Sequence, residues 1–297
     1  MKIAVLGGSG FVGSHVADAL TEAGHRVTLF DLTPSAWKQK KQRMVVGDIQ
    51  DSRAVAEVLR GQDIVYNFAG FSDIEEAQRH PIETIRANVL GNGIVLEACR
   101  QQGIRRYLFA STIYVYSDVP SFYRASKQAC ESYIDVYQKL HGLKCTILRF
   151  GSLYGPRAKD NNGIRTFLRE AVEKGRIVYW GTGEEVREYV HIKDAARSCV
   201  DALKPVYANS CLLLTGAQSM RIRDLLTMIQ EMMRGKINIV YRPKSRPDLS
   251  SLHYAITPYA FVPKEARKLM RSDYFDMGQG LLNVLGDLQA EKDGRKR

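Results

Sequence analysis

Tyr123 and Lys127, in Phe122-Tyr123-Arg124-Ala125-Ser126-Lys127, have the residue types and spacing that speak most clearly of chemistry in this 297-residue chain. Residues four apart on a helix lie on one face. The lysine ammonium can then stand beside the tyrosine phenol, or beside a ligand that both hold. A free phenol has a pKa of about 10 and is a poor base at neutral pH. A positive charge about 4 Å away, at an effective dielectric of about 20, is worth roughly 4 kcal/mol. That is about 3 pK units, which brings the phenol into the range where general acid–base catalysis is efficient. The same spacing also describes an ordinary solvated helix face, so the pair needs support from the rest of the chain.

The support comes from the N-terminus. Lys2-Ile3-Ala4-Val5-Leu6 is a short apolar run of the kind that forms a buried parallel strand. Gly7-Gly8-Ser9-Gly10-Phe11-Val12-Gly13 follows at once, and a helical pattern then runs through Val16, Leu20 and Ala23 to Gly24. Glycines at 7, 10 and 13 suit a tight turn, a close approach of backbone to a pyrophosphate, and close packing of helix on strand. The N–H groups that open the helix then face the phosphates. A second strand, Arg26 to Phe30, ends in Asp31, 18 residues beyond Gly13, where an acid meets an adenosine ribose hydroxyl. A carboxylate there repels a 2′-phosphate, which favours NAD over NADP. Lys38, Lys40, Lys41 and Arg43 follow, either as a solvated run or as groups able to hold that phosphate. Asp48, after Met44-Val45-Val46-Gly47, either ends a third strand near the adenine or caps the helix that begins around Asp51.

Those residues bring the chain to a family. It resembles the extended short-chain dehydrogenase/reductases, in particular the NAD-dependent nucleotide-sugar epimerases and dehydratases of the UDP-glucose 4-epimerase type. The resemblance covers nearly the full length. It rests on Gly7/Gly10/Gly13, Asp31, Gly47-Asp48-Ile49, Asn67-Phe68-Ala69-Gly70, Asn88-Val89-Leu90-Gly91, Ser111-Thr112, Tyr123/Lys127, the run Leu148 to Arg157, and Arg187 to Asp194. It implies NAD held by Gly7, Gly10, Phe11, Val12, Gly13, Asp31, Asp48, Ile49, Phe68, Ala69 and Lys127. In such a site Tyr123 as phenolate takes a proton from a sugar hydroxyl while hydride passes to the nicotinamide. Lys127 holds the nicotinamide ribose, and Thr112 hydrogen-bonds the same sugar hydroxyl. Ser111 points to the other side of its strand, which leaves Thr112 as the choice, or simply as a β-branched strand residue.

A 4-epimerase needs no more than this. The resemblance also places Ser152 at the substrate diphosphate, Tyr179 at the nucleobase, and Arg187 and Arg246 on the phosphates, where an arginine fork gives two charge-assisted bonds. Structural salt bridges compete for both arginines, and Tyr179 is equally readable as a strand aromatic. The 4,6-dehydratases carry an Asp-Glu pair directly after the catalytic Thr, and the decarboxylases usually a glutamate. Ile113 and Tyr114 stand there instead. Two further departures bear on the sugar. Only seven positions separate Tyr116 from Tyr123, where the family has a longer segment walling the sugar pocket, and Ser152 replaces a common asparagine.

The elements that must position these residues form one alternating series. Strand-like runs at 2–6, 26–31, 43–47, 63–67, 105–110 and 144–149, with helices between, predict an α/β fold with a Rossmann-type doubly wound parallel sheet. Residues 1–150 read as the NAD-binding domain, with 191–215 returning to it. Residues 151–190 and 216–285 read as a smaller substrate-binding lobe, and 286–297 as a basic tail. A long helix over 74–102 should bend or break near Pro81, and the helix carrying Tyr123 should end near His141. In the family these two helices form a four-helix bundle across a dimer axis, which implies a homodimer; their apolar positions could equally face only the sheet.

Composition excludes several classes. The net charge of +11 is scattered, no nucleic-acid motif is visible, and a dinucleotide and a nucleotide sugar already supply anions to attract. No apolar run approaches ~20 residues, so no membrane span is expected. The five cysteines are widely spaced without Cys-x-x-Cys, and no metal site is expected. With an N-terminus that enters a strand directly, they point to buried free thiols and a cytoplasmic protein. The expected activity is epimerisation of a nucleoside-diphosphate sugar at C4. The alternatives are a reductase, decarboxylase or dehydratase on the same scaffold, and a non-catalytic dinucleotide-binding regulator, which has no need of Tyr123, Lys127 and Thr112 together.

Overall fold

The computed structural model describes residues 1–117, 119–217, 219–243, 266–269 and 271–293. Its large domain begins β1 (Lys2–Leu6), α1 (Phe11–Glu22), β2 (Arg26–Asp31), β3 (Arg43–Val46), α2 (Ser52–Leu59) and β4 (Ile64–Asn67). It continues through α3 (Ile74–Arg79), α4 (Pro81–Thr84), a π-helical turn (Ile85–Leu90), α5 (Gly91–Gln101), β5 (Arg106–Thr112), α6 (Phe122–His141) and β6 (Cys145–Phe150). The smaller lobe opens with β7 (Ser152–Tyr154), α7 (Gly163–Lys174), β8 (Arg176–Trp180) and β9 (Val186–His191). The chain then forms α8 (Ile192–Asp201), β10 (Ser210–Leu214), β11 (Ser219–Arg221), α9 (Ile222–Met232), β12 (Asn238–Arg242), β13 (Ala266–Lys268) and α10 (Met277–Lys292).

The eight-stranded sheet has the order β13-β10-β6-β5-β4-β1-β2-β3. Its neighbours are all parallel. The order reverses between β1 and β4, the crevice where such sheets bind ligands at their carboxyl ends. Both faces are covered, which is why the strands are apolar at consecutive positions rather than alternating. In β1, Ile3 and Val5 join the core beneath α1 and α8, while Ala4 and Leu6 join the core beneath α2, α5 and α6. A third core belongs to the lobe, where Leu168, Ile177, Leu226 and Ile229 pack with Leu281 and Val284 of α10. Within the lobe β9 sits between β7 and β11, and β8 pairs with β12.

The 74–102 stretch breaks at His80–Pro81, as expected, and its second part runs through α4, the π-helical turn and α5. His80 leaves the helical region (φ −126°, ψ 64°) because the residue before a proline is sterically driven out of it, and Pro81 then opens the next helix. The tail expected at 286–297 is in its first part packed structure, since α10 runs to Lys292 and Leu288 is buried in the lobe core. Finally, Asp48 does not cap α2. Asp51 does, accepting from the N–H of Arg53 at 2.9 Å and of Ala54 at 3.2 Å, while Asp48 accepts from the N–H of Gln50. Of the five cysteines, all free, only Cys211 is not fully buried. Among the described residues no helix is long and apolar enough to cross a membrane.

Candidate active site

The glycine-rich turn owes its shape to three close approaches. Gly7 has φ +77°, and a Cβ there would lie 2.6 Å from the backbone of Phe68 and Ala69. A Cβ on Gly13 would lie 2.1 Å from the Gly7 carbonyl oxygen, so α1 can cross this close only at a glycine. Gly10 donates its N–H to Gly7 O at 3.1 Å, and α1 starts without a side-chain cap. The N–H groups of the first turn, at Phe11, Val12 and Gly13, are therefore left to an anion. Asp31 ends β2 beside this turn and accepts from the Ser9 N–H at 2.9 Å. Asp48 and Ile49 follow β3, and Phe68 and Ala69 follow β4. All of these residues gather at the carboxyl end of the sheet, and the cradle fits a dinucleotide.

Two strands along, the candidate acid–base residues meet. Ser121 caps α6, and Tyr123 and Lys127 lie one turn apart on its buried face. The Tyr123 hydroxyl shares a hydrogen bond with Thr112, the last residue of β5. Thr112 Oγ1 also accepts from the Tyr114 N–H at 3.2 Å. Ser111 points the opposite way and donates to Glu131 Oε1 at 2.6 Å, as strand alternation requires. The choice of Thr112 over Ser111 thus matches the geometry.

The electrostatics differ from the expectation. Lys127 Nζ stands 5.8 Å from the Tyr123 ring centroid and donates to Ala110 O at 2.8 Å. Burial pushes the Tyr123 phenol up to about 12, with only the Thr112 hydrogen bond pulling it down. Burial also lowers Lys127. The lysine does not by itself bring this phenol toward neutral pH, because desolvation opposes the charged form of both groups. That cost cannot be read from residue spacing.

A buried network beneath the pair went unread. Tyr123, Lys127 and Glu131 fall at successive four-residue steps on α6. Arg149 of β6 grips Glu131 through two bonds, Nε–Oε1 at 2.9 Å and Nη2–Oε2 at 2.6 Å, and also donates to the Tyr116 hydroxyl. The two charged side chains are 1% and 6% exposed. The i, i+4, i+8 spacing was the available signal; the partner strand was not. Asn88, of the motif Asn88-Val89-Leu90-Gly91, sits in the π-helical turn. Its side chain accepts from the Phe71 N–H and donates to Ser126 Oγ, and its carbonyl accepts from Cys130 Sγ, tying the turn to α6.

The short segment before Tyr123 is held down by α6 itself. The Arg124 guanidinium donates to Ser117 O, and Gln128 Nε2 donates to Val115 O at 2.9 Å. Tyr114 stands edge-on to Tyr123, with ring centroids 6.4 Å apart. In the lobe, Ser152 on β7 is half-buried and lies in register with Tyr189 of β9. Tyr179 on β8 is hydrogen-bonded to Glu185, packs edge-on to Phe167 and Tyr241, and feels the charge of Arg187. Arg187 donates through Nη1 to Val186 O at 2.9 Å. The structure thus brings Tyr179 and Arg187 together. Arg246 lies outside the described residues.

The family model for the NAD dependent epimerase/dehydratase family matches residues 3–209. The chain belongs to that family. Among individual relatives, a UDP-N-acetyl-alpha-D-glucosaminuronate decarboxylase from Bacillus cytotoxicus is 26% identical over 266 residues, 80% of this chain and 82% of that protein. A putative UDP-glucose 4-epimerase from Methanocaldococcus jannaschii is 24% identical over 95% of this chain and 97% of its own length. Among solved structures, a UDP-glucose 4-epimerase from Thermus thermophilus in complex with NAD superposes with a TM-score of 0.80 at 25% identity, covering 97% of this chain and 99% of that one.

Proposed function

We propose that this chain is an NAD-dependent epimerase that inverts C4 of a nucleoside-diphosphate sugar through a 4-keto intermediate, with Tyr123 as the acid/base. The observation that carries the proposal is the hydrogen-bonded Thr112–Tyr123 pair beside Lys127, with no carboxylic acid at 113 or 114. NAD, when bound, takes up and returns the hydride. Phe11, Val12 and Gly13 offer backbone N–H groups to its pyrophosphate, Gly7 and Gly10 shape the turn that lets it approach, Asp31 offers its carboxylate to the adenosine ribose, and Asp48, Ile49, Phe68 and Ala69 wall the adenosine side. Thr112 orients the sugar hydroxyl, Tyr123 removes and returns that hydroxyl proton, and Lys127 supplies a fixed positive charge. Ser152, Tyr179, Arg187 and Arg246 serve the nucleoside diphosphate from the lobe, whose core β7 to β9, β11, α9, β12 and α10 build, while β13 joins the large sheet.

Decarboxylation of a nucleotide uronic acid is the second reading, favoured by the B. cytotoxicus relative. Against it stands Tyr114, an aromatic where such enzymes usually carry a glutamate. The test is to denature the purified protein, quantify released NAD, and follow UDP-sugars by NMR. One equivalent of NAD with interconversion at C4 supports the epimerase. Loss of carbon dioxide from a uronic acid selects the second reading, and exchangeable NADP overturns both.

The protein acts as a homodimer in the cytoplasm. Ile82, Ile85 and Leu90 of α4 and the π-helical turn are exposed, as are Tyr133, Val136 and Leu140 of α6. Such an exposed apolar cluster is accounted for when a second copy covers it. Light scattering behind size exclusion reads the mass directly, and Leu140→Glu should shift a dimer toward monomer.

A further inference from the structure

Where the lobe meets the large sheet, the fold encloses a cavity of 160 Å³ that none of the residues assigned to the reaction lines. Its wall is built of rings: Tyr154 of β7, Tyr189 and His191 of β9, and Tyr274 and Phe275 ahead of α10. His191 and Phe275 stack with centroids 4.3 Å apart and planes at 30°, and Tyr154 meets His191 edge-on at 5.3 Å.

Three buried polar atoms on this wall have no hydrogen-bond partner among the described residues. They are Nδ1 and Nε2 of His191, which is 1% exposed, and Oγ1 of Thr215, which is 4% exposed. Native proteins rarely leave such atoms unmatched, and each therefore needs an explanation. His191 also precedes α8 at the capping position, yet it makes no cap bond. The nearby charges are already committed. Asp194 accepts from the Phe275 N–H and from Arg197, both at 2.6 Å, and Arg271 pairs with Asp201 and Asp273. Burial holds His191 neutral, at about 3, so its ring offers one donor and one acceptor. The uncommitted groups are thus an uncharged imidazole and a hydroxyl set among aromatic faces. Cavities of about 150 Å³ accept a benzene-sized molecule.

We propose that this cavity is a binding site for an uncharged six-membered heteroaromatic ring with a donor and an acceptor on its edge, a pyrimidine base being the simplest case. The ring stacks in the aromatic wall and satisfies His191 and Thr215. Tyr274, 46% exposed, marks the side from which it enters. The site does not depend on the epimerase reading and lies apart from the acid–base residues.

Fluorine NMR with 5-fluorouracil and the full-length protein tests this, using the unchanged chain, Ser198→Leu and Thr215→Val. Ser198 lines the cavity from α8, so leucine there fills it. Saturable binding is expected in the unchanged chain. It should disappear in Ser198→Leu and weaken about tenfold in Thr215→Val, the loss of one hydrogen bond. Released NAD and the circular dichroism melt should stay the same. No saturable binding, or binding unaffected by either substitution, overturns the proposal. So does a crystal soaked in 5-fluorouracil that holds only waters on His191 and Thr215. If Ser198→Leu fails to fold, Thr215→Val and the soak decide.

Discussion

Acidification from pH 7 to pH 5 should weaken the fold by about 4 kcal/mol through two histidines alone. His15 of α1 is 7% exposed, with Nε2 3.0 Å from Pro156 O. Burial, the neighbouring Arg157 charge and Lys193 hold it down at about 4, against upward pulls from the Pro156 bond and Asp18. His191 is held at about 3 by burial first, then by Lys193, His15 and Arg197. Both native values lie below the unfolded value of 6.5. Between them the unfolded chain binds protons that the folded chain refuses, so stability rises with pH across this window and is lost as pH falls below about 6.5. At pH 5 each histidine costs roughly 1.5 pK units, about 2 kcal/mol. The pair together removes a large part of the 5–15 kcal/mol typical of a domain. Urea unfolding at pH 7.5, 6.0 and 5.0 measures this, with His15→Gln expected to flatten about half of the slope. A profile flat between pH 7 and 5 would refute the reasoning that these imidazoles are buried neutral.

Other substitutions probe the site and its support. Glu131→Gln strands the Arg149 charge at 1% exposure and should cost about 3–5 kcal/mol in denaturant unfolding. Adding Arg149→Met should recover most of that loss, and a double variant no better than the single would mean that the ion pair is not the cause. Tyr123→Phe should keep the fold and bound NAD while lowering kcat by about 10²–10⁴; a smaller loss moves the acid/base role elsewhere. Gly13→Ala drives a methyl to 2.1 Å from Gly7 O, so the purified variant should contain little NAD by mass spectrometry of the denatured protein.

Strands β1 to β6 could be located in the sequence to within a residue or two. Each is a short run, mostly apolar, closed by a glycine, a polar loop or a capping residue, and burial on both faces leaves that pattern largely unbroken. β13 was not located: Ala266-Arg267-Lys268 has no apolar run and falls in the stretch read as lobe. The cradle was legible for the same reason, since glycines 7, 10 and 13 are tied to one backbone crossing. Thr112 could be chosen over Ser111 because a strand alternates. The π-helical turn was not legible: it depends on Asn88 and Cys130 meeting, which only α6 arranges. The Tyr123 phenol was misjudged because a four-residue spacing reports proximity and says nothing of desolvation. The Arg149–Glu131 pair joins two elements whose neighbourhood is decided by the sheet order. In the lobe, short strands and loops carry little periodicity, so only its approximate extent was foreseen.

The sheet order also sets a timetable for the chain as it leaves the ribosome. β6 is buried along its whole length, yet its outer neighbour β10 begins at Ser210, and β13, which covers β10, ends only at Lys268. Nascent chains that end before β10 present a bare β6 margin, an open template for pairing with another chain. Every stalled or prematurely ended product that stops between Phe150 and Ser210 carries this sticky margin. For quality control, the vulnerable interval of biosynthesis is therefore the emergence of the lobe, while the large sheet still lacks its last two strands.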